Sequence, residues 1–462
     1  LVDPQVVWDP ASFRDPAGSV FFHRGNVYRT INSSELINIE KLIKADFFKK
    51  YIQEGSIIPT SFINNPFKEE VSGNPYILEH EKISFITYPY EWSYHMLKDA
   101  ALLTLSILKD CLENDFILKD GTAWNVTYYK GKMCFFDILS IEAYSEGQLW
   151  EGYKQFCQEF LYPLLVKAHK DIDFNAFFRG SLNGIDSKIA GSFFTTLDWR
   201  KPGIFKHVFL NSKLSSSKTI DNTEVKNKFR LPKQSLIRII DNLYKIVSNL
   251  HPSHKTSIWQ NYTMTNTYTE HDNLKKKSFI SSSLNSFVNL KSVIDLGSNT
   301  GDYSLLAAEK SRVFACDIDS ACIDQLYLKN KELGYDVTPL VLDLMNPSPD
   351  CGWKLKERSS LLNRLNADAF LALALIHHIC IASNVPLRSF IEFLSSIAPQ
   401  GVLEWVDKTD PMVKFLLRNR TDIFSNYTWE NFEKIVSQYF KIEQVEVSNN
   451  GTRKLCKLVS LS

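Results

Sequence analysis

Residues 293–302 read Val-Ile-Asp-Leu-Gly-Ser-Asn-Thr-Gly-Asp, and a second apolar run, Val313-Phe314-Ala315-Cys316, ends on Asp317. This pairing constrains the chain more than any other feature. An apolar strand enters a glycine turn, a helix leaves it, and a second strand delivers a carboxylate to the same edge. There a backbone can approach a nucleoside, and the carboxylate can accept both ribose hydroxyls. The turn decides which nucleoside.

A dinucleotide turn of the Gly-x-Gly-x-x-Gly type seats a pyrophosphate on helix N–H groups. The turn here, Gly297-Ser298-Asn299-Thr300-Gly301, lacks the third glycine at the required spacing. Asp295 precedes it, where a negative charge repels a pyrophosphate and suits the ammonium of a methionyl group. Asn299 stands in the usual place of the middle glycine, and Asn tolerates positive φ better than most residues. The pattern favours S-adenosylmethionine (SAM).

The order of elements downstream agrees. Residues 337–342 form a short β-rich run leading to Asp343, and 368–376 form another that ends at His377-His378. Residues 401–406 make a third, while 273–289, 411–420 and 428–439 read as helices. Two last runs, 440–447 and 452–460, flank Asn449-Asn450-Gly451, a hairpin signal. Parallel strands alternating with helices and closed by an antiparallel hairpin predict a Rossmann-like α/β sheet. Its ligand belongs at the carboxyl ends of the first strands.

Through this glycine turn, residues 255–462 resemble the class I SAM-dependent methyltransferases, and Trp259, Lys277, Ile376-His377-His378 and Leu403-Glu404-Trp405-Val406 carry a wider likeness. The whole chain is similar to a bacterial two-part family related to nodulation host-specificity proteins. The resemblance implies a seven-stranded sheet and a set of contacts. Asp295, Gly297, Asn299 and Gly301 would meet the methionyl part of SAM, Asp317 the ribose, and Asp343 with Leu344 the adenine. Ser298 and Ile318 complete the expected cofactor set.

Methyl transfer from a sulfonium is an in-line displacement, so a protein mainly supplies alignment, desolvation and sometimes a base. In this fold the end of the fourth strand faces the methyl group, and His377 and His378 stand there. A histidine near its ordinary pKa can deprotonate a hydroxyl or amine at neutral pH. We expect one of the two at the site, His377 before His378. Glu404 lies in a run that should be a central buried strand, where a carboxylate needs partners. It is a candidate for positioning substrate or acting as a base. Tyr262, Tyr268 and Lys277 are candidates for a lid or for substrate contact.

The N-terminal half reads as a separate, aromatic-rich globule. Residues 19–31 alternate around Gly25-Asn26 as a hairpin, with Phe21-Phe22 against Val27-Tyr28. Residues 83–88 are β-rich, and 94–112 form a helix with Leu97, Ala101, Leu105, Leu108 and Leu112 on one face. A second helix, 151–167, turns Tyr153, Phe156, Phe160 and Leu164 inward. Between these helices come Asp120, Asn125 five residues later, and Asp137 closing the next β-run. That trio resembles the catalytic loop and metal-binding aspartate of protein and small-molecule kinases. In those enzymes the first Asp accepts a hydroxyl proton while the Asn and second Asp hold magnesium. The pattern departs from theirs as well. No glycine-rich loop precedes it, no strand lysine with a helix glutamate can be assigned, and Leu118 stands where His is usual. The expectation is a kinase-like but degenerate module, with ATP and magnesium as its unfavoured ligands.

Composition bounds the rest. A chain of 462 residues, 44% hydrophobic and 23% charged, is long enough for two or three domains. A net charge of +1 supplies no field for steering onto nucleic acid or an anionic membrane. The Asn/Asp-Pro-Pro-Tyr/Phe motif of nucleic-acid amine methyltransferases is absent after the fourth strand, so neither DNA nor RNA is expected as substrate. No run is apolar enough to span a bilayer. The eight cysteines show no metal spacing, which suits reduced thiols in a cytoplasmic protein and no metal site. The polar stretch 211–233 reads as a linker or mobile loop between a kinase-like domain, 1–210, and a methyltransferase domain, 234–462. The expected activity is SAM-dependent methylation of an O or N atom on a small-molecule or glycan-type acceptor, with the N-terminal module shaping specificity. A SAM- and nucleotide-binding regulator, or a bifunctional kinase-methyltransferase, are the alternatives.

Overall fold

The computed structural model describes residues 6–67, 71, 76–214, 230–252, 270–448 and 451–461. The chain forms two units. The first is Leu1–Lys255 with Asp350–Ser359, and the second is Thr256–Pro349 with Ser360–Ser462.

The first unit opens with five antiparallel strands: β1 (Val7–Trp8), β2 (Val20–His23), β3 (Asn26–Thr30), β4 (Thr60–Asn64) and β5 (Tyr76–His80). They lie in the order β1-β2-β3-β5-β4. The expected hairpin is present, with Phe21 opposite Tyr28 and Phe22 opposite Val27. Its two turn residues are Arg24 and Gly25, both at positive φ, which is the type I′ geometry that matches strand twist. The hairpin therefore turns one residue earlier than the Gly-Asn pair suggested. Residues 83–88, expected as a strand, are irregular, and the strand lies upstream at Tyr76–His80. That segment is pinned by side chains instead, since Thr87 N donates to Thr127 Oγ1 at 2.8 Å and Tyr128 N to Thr87 Oγ1 at 2.9 Å.

Helix Tyr94–Glu113 follows, with Leu97, Ala101, Leu105, Leu108 and Leu112 all fully buried, as the periodicity requires. Two short pairs come next: β6 (Phe116–Leu118) with β9 (Ile141–Ala143), and the hairpin β7 (Val126–Tyr129) with β8 (Lys132–Phe135). The second expected helix is present as Tyr153–Phe156 and Tyr162–Lys170, joined by a π-helical turn over Cys157–Leu161.

The first unit runs on past residue 233. Helix Lys233–Ser248 belongs to the first unit, against helix Tyr94–Glu113. There Lys98 donates its ammonium to Ser248 O at 2.9 Å, at the helix C-terminus, and to Leu250 O at 2.7 Å just beyond it. Of the expected linker, residues 215–229 lie outside the described residues. The excursion Asp350–Ser359 also joins the first unit, where Glu357 accepts from Arg14 Nη2 at 2.6 Å and Arg358 lies 4.9 Å over the Trp124 ring.

The second unit is built on seven strands: β10 (Ser292–Leu296), β11 (Arg312–Asp317), β12 (Val337–Val341), β13 (Ala369–Ala372), β14 (Gln400–Val406), β15 (Phe440–Ser448) and β16 (Arg453–Ser460). Their order is β12-β11-β10-β13-β14-β16-β15, parallel except at β16. Seven strands with an antiparallel hairpin at the end are what the sequence resemblance implies. β13 and β14 are buried at every residue, as parallel strands covered on both faces must be. The hairpin register closes with Ser448 opposite Arg453; Asn449 and Asn450 lie outside the described residues. The order reverses where β10 is flanked by β11 on one side and β13 on the other, and ligand crevices form at such a switch point. No helix among the described residues is long and apolar enough to cross a membrane.

Candidate functional site

The switch point carries a cavity of about 270 Å³. β10 ends at Leu296, and the turn that follows takes three left-handed residues: Gly297 at φ +75°, Asn299 at +49° and Gly301 at +84°. Both glycines take a φ that side chains strain, and at Gly301 a Cβ would in addition meet Leu326 Cδ1 at 2.3 Å. Asn299 accommodates the conformation as expected, with its Oδ1 accepting from Thr300 N at 2.6 Å. The amides of Gly297 and Ser298 both donate to Cys316 O, at 2.8 and 2.9 Å, which ties the turn to the end of β11.

That tie places Asp317. Its Oδ2 accepts from Asn299 N at 2.8 Å and its Oδ1 from Asp319 N at 2.9 Å. Two backbone amides hold the carboxylate, and each oxygen keeps a lone pair for a ligand hydroxyl. Burial raises its pKa against the pull of these amides. Asp343, after β12, is fixed in the same manner, with Oδ1 accepting from Met345 N at 2.8 Å.

Of the expected cofactor residues, Gly297, Asn299, Asp317, Ile318, Asp343 and Leu344 line the cavity. Backbone, a fixed carboxylate, apolar walls from Ile318 and Leu344 and a second carboxylate can together hold a nucleoside. Asp295, Ser298 and Gly301 are not in the lining. Asp295 is buried under the turn, where Ser304 Oγ donates to its Oδ2 at 2.6 Å. Burial pushes its carboxyl up to about 7, with Asp317 nearby adding to the rise and Ser304 opposing it. Ser298 keeps its buried hydroxyl without a hydrogen-bond partner.

The two histidines exchange the expected roles. His378 lines the cavity, whereas His377 is fully buried with neither ring nitrogen hydrogen-bonded. Their rings lie 4.2 Å apart. The reason is that β13 stops at Ala372, and the chain turns through Ala374 at φ +48° before the helical turn that carries both residues. Burial, then the charge of Arg453, lowers the His378 pKa, so its imidazole is neutral at neutral pH. Glu404 is fully buried and does not line the cavity; it accepts from Lys276 Nζ at 2.6 Å. Lys276, not Lys277, is the buried lysine of helix Glu270–Ser286. Asp410, in the loop after β14, is buried and its Oδ2 accepts from Arg453 Nε at 2.8 Å. Trp259, Tyr262 and Tyr268 lie outside the described residues.

In the first unit, β7 and β8 pair Val126 with Phe135, and Phe136 N donates to Asn125 O at 3.0 Å. The hairpin thus brings Asn125 beside Asp137. Burial first, then the charge of Asp137, raises the Asp120 pKa, which puts the two carboxylates within electrostatic reach. The amide nitrogen of Asn125 is buried without a partner. Sequence reasoning missed Arg29 of β3, whose guanidinium holds Asp137 Oδ1 at 2.6 Å and also holds Asp15. A cation inside an alternating β-run, next to Tyr28, was the available signal, because a buried guanidinium requires carboxylates. Among the described residues, no group of three or more His, Cys, Asp or Glu side chains could hold a metal ion.

No protein-family model matches the chain. It is 36% identical over 452 residues to the nodulation protein NoeA of Rhizobium meliloti (strain 1021), an alignment covering 96% of this chain and 94% of that protein. Among solved structures, magnesium protoporphyrin IX methyltransferase of Synechocystis PCC 6803 with bound SAM is 16% identical. That match covers 45% of this chain and 86% of the other, at a TM-score of 0.30. The N-methyltransferase NodS of Bradyrhizobium japonicum WM9, in complex with S-adenosylhomocysteine, is 8% identical over 45% of this chain and all of its own, at a TM-score of 0.32.

Proposed function

This chain belongs to the family of the nodulation protein NoeA, and from that premise we propose that its second unit is a SAM-dependent methyltransferase. The acceptor is an O or N atom of a small-molecule or glycan-type metabolite, and the first unit serves acceptor recognition. One observation carries the reading. The cavity at the switch point is lined by a glycine turn and by a carboxylate, Asp317, that two backbone amides hold in place.

When bound, SAM supplies an electrophilic methyl on a sulfonium. Asp317 would receive the ribose hydroxyls through its remaining lone pairs, and Ile318, Leu344 and Asp343 would hold the adenine. His378 is the group on the cavity wall that can take a proton from the acceptor, since its neutral imidazole is an acceptor itself.

Calorimetric titration with S-adenosylhomocysteine tests the cofactor: saturable one-site binding is expected, and preference for NAD would overturn the reading. If His378 is the base, His378→Ala lowers turnover about a hundredfold, the lower end of the usual range for such groups, and leaves S-adenosylhomocysteine affinity unchanged. Equal losses in both would make it a structural residue. We read the first unit as a kinase-like scaffold that no longer transfers phosphate. Two features support this: Asp120, Asn125 and Asp137 share one region, and Arg29 engages the aspartate that would otherwise face a metal.

A further inference from the structure

The most conspicuous charges in the second unit lie outside the cavity. Glu404 sits in mid-β14 with its side chain fully buried, and Lys276 on helix Glu270–Ser286 is buried beside it at 2.6 Å. Arg453, also fully buried, places Nη1 3.9 Å from Glu404 Oε1 and holds Asp410 through Nε at 2.8 Å and Nη2 at 3.2 Å. Two cations and two carboxylates thus form a formally neutral network inside the core. Stability is a poor explanation for it, because apolar side chains of similar volume often serve at least as well.

What the network fixes is a better explanation. Glu404 Oε2 accepts a second bond, from Ala374 N at 2.8 Å. Ala374 is on the cavity wall between Leu373 and Leu375, four residues before His378. It is also a non-glycine residue at φ +48°. Such a conformation carries strain and persists only where its surroundings over-determine it. A carboxylate buried behind the loop, aimed by a lysine and accepting the loop's own amide, is such a surrounding. The bond also ties the sheet interior to the one segment that both walls the cavity and carries its histidine.

We propose that Glu404 is a positioning residue: through Ala374 N it holds the 373–378 segment in the shape that closes the cofactor cavity and presents His378. Lys276 orients and neutralises the carboxylate, and Arg453, satisfied by Asp410, supports it from the far side. This rests on the cavity being a SAM site. It gives Glu404 a role through another group rather than at the reacting atoms.

Two double variants of the full chain separate this anchor from a plain charge pair. Glu404→Gln with Lys276→Met removes both charges and keeps an acceptor for Ala374 N. Glu404→Leu with Lys276→Met removes the acceptor as well. With S-adenosylhomocysteine as the probe, the first should bind within about threefold of the parent and the second tenfold or more weaker. Equal affinities of the two would overturn the anchor. If the parent binds no S-adenosylhomocysteine, the cofactor reading fails first, and the two failures are distinct. Should the leucine variant not fold, hydrogen exchange on the parent decides. The Ala374 amide must be among the slowly exchanging amides and slow further when S-adenosylhomocysteine is added. Exchange at the rate of an open loop would end the proposal.

Discussion

Asp317 and Asp137 each follow an apolar strand, and each has a second carboxylate nearby, yet the fold treats them in opposite ways. Asp317 is held by two backbone amides, from Asn299 and Asp319. Amides orient a carboxylate without cancelling its charge, so it remains able to receive ligand hydroxyls. Asp137 is held by the guanidinium of Arg29, which Asp15 shares. A guanidinium both orients and neutralises, so the potential that would attract a cation is largely spent within the protein. What binds a carboxylate decides whether it is a site or a strut.

Arg29→Met tests the strut half of this contrast and should have the largest effect. It leaves Asp137 and Asp15 without their cation in a mostly buried place, and breaking such a pair costs about 3 kcal/mol or more. A drop in the thermal midpoint of the first unit is expected, with S-adenosylhomocysteine affinity unchanged. Restored stability on adding Asp137→Asn and Asp15→Asn would sharpen the point. A single variant as stable as the parent would break it.

Asp317→Ala tests the site half. Hydrogen bonds to a charged group contribute about 1.5–3 kcal/mol, so S-adenosylhomocysteine affinity should fall tenfold or more with little change in stability. Calorimetry with no loss of affinity would remove Asp317 from the cofactor site.

The smallest effect concerns Asp295. Its folded pKa, about 7, lies above the ordinary carboxylate value because burial disfavours the charge. The folded state therefore holds the proton more tightly than the unfolded one. Its contribution is full below the unfolded pKa and is lost as pH rises through about 7. Asp295→Asn stays neutral, so relative to the parent it should gain about 2 kcal/mol between pH 5 and pH 8. Thermal midpoints of the two proteins at both pH values measure this. Parallel pH profiles would mean that Asp295 is ionised throughout.

Much of the second unit is legible in the residues alone, and for a local reason. The β10 turn is written in residues whose backbone freedom is intrinsic, and Gly297, Asn299 and Gly301 all take the left-handed conformations their types permit. The alternation of apolar runs and helices predicts a largely parallel α/β sheet, while its seven strands are what the family resemblance implies. The buried face of helix Tyr94–Glu113 and the pairing of Phe21 with Tyr28 are likewise consequences of periods of 3.6 and 2 residues.

The sequence by itself determined the sheet, the turn and the carboxylate at its edge, because each depends on neighbours within a few residues or on one strand–helix–strand unit. Only the tertiary structure decided which charges are used and which are stored. Arg29 meets Asp137 across 108 positions of chain, and Lys276 meets Glu404 across 128. Lys98 donates to the end of a helix 150 residues later. His377 and His378 are chemically identical neighbours, and their roles differ because Ala374 leaves β13 at positive φ and turns one imidazole to the cavity and the other to the core. A buried charge is defined by its partners, and no spacing along the chain names partners that distant.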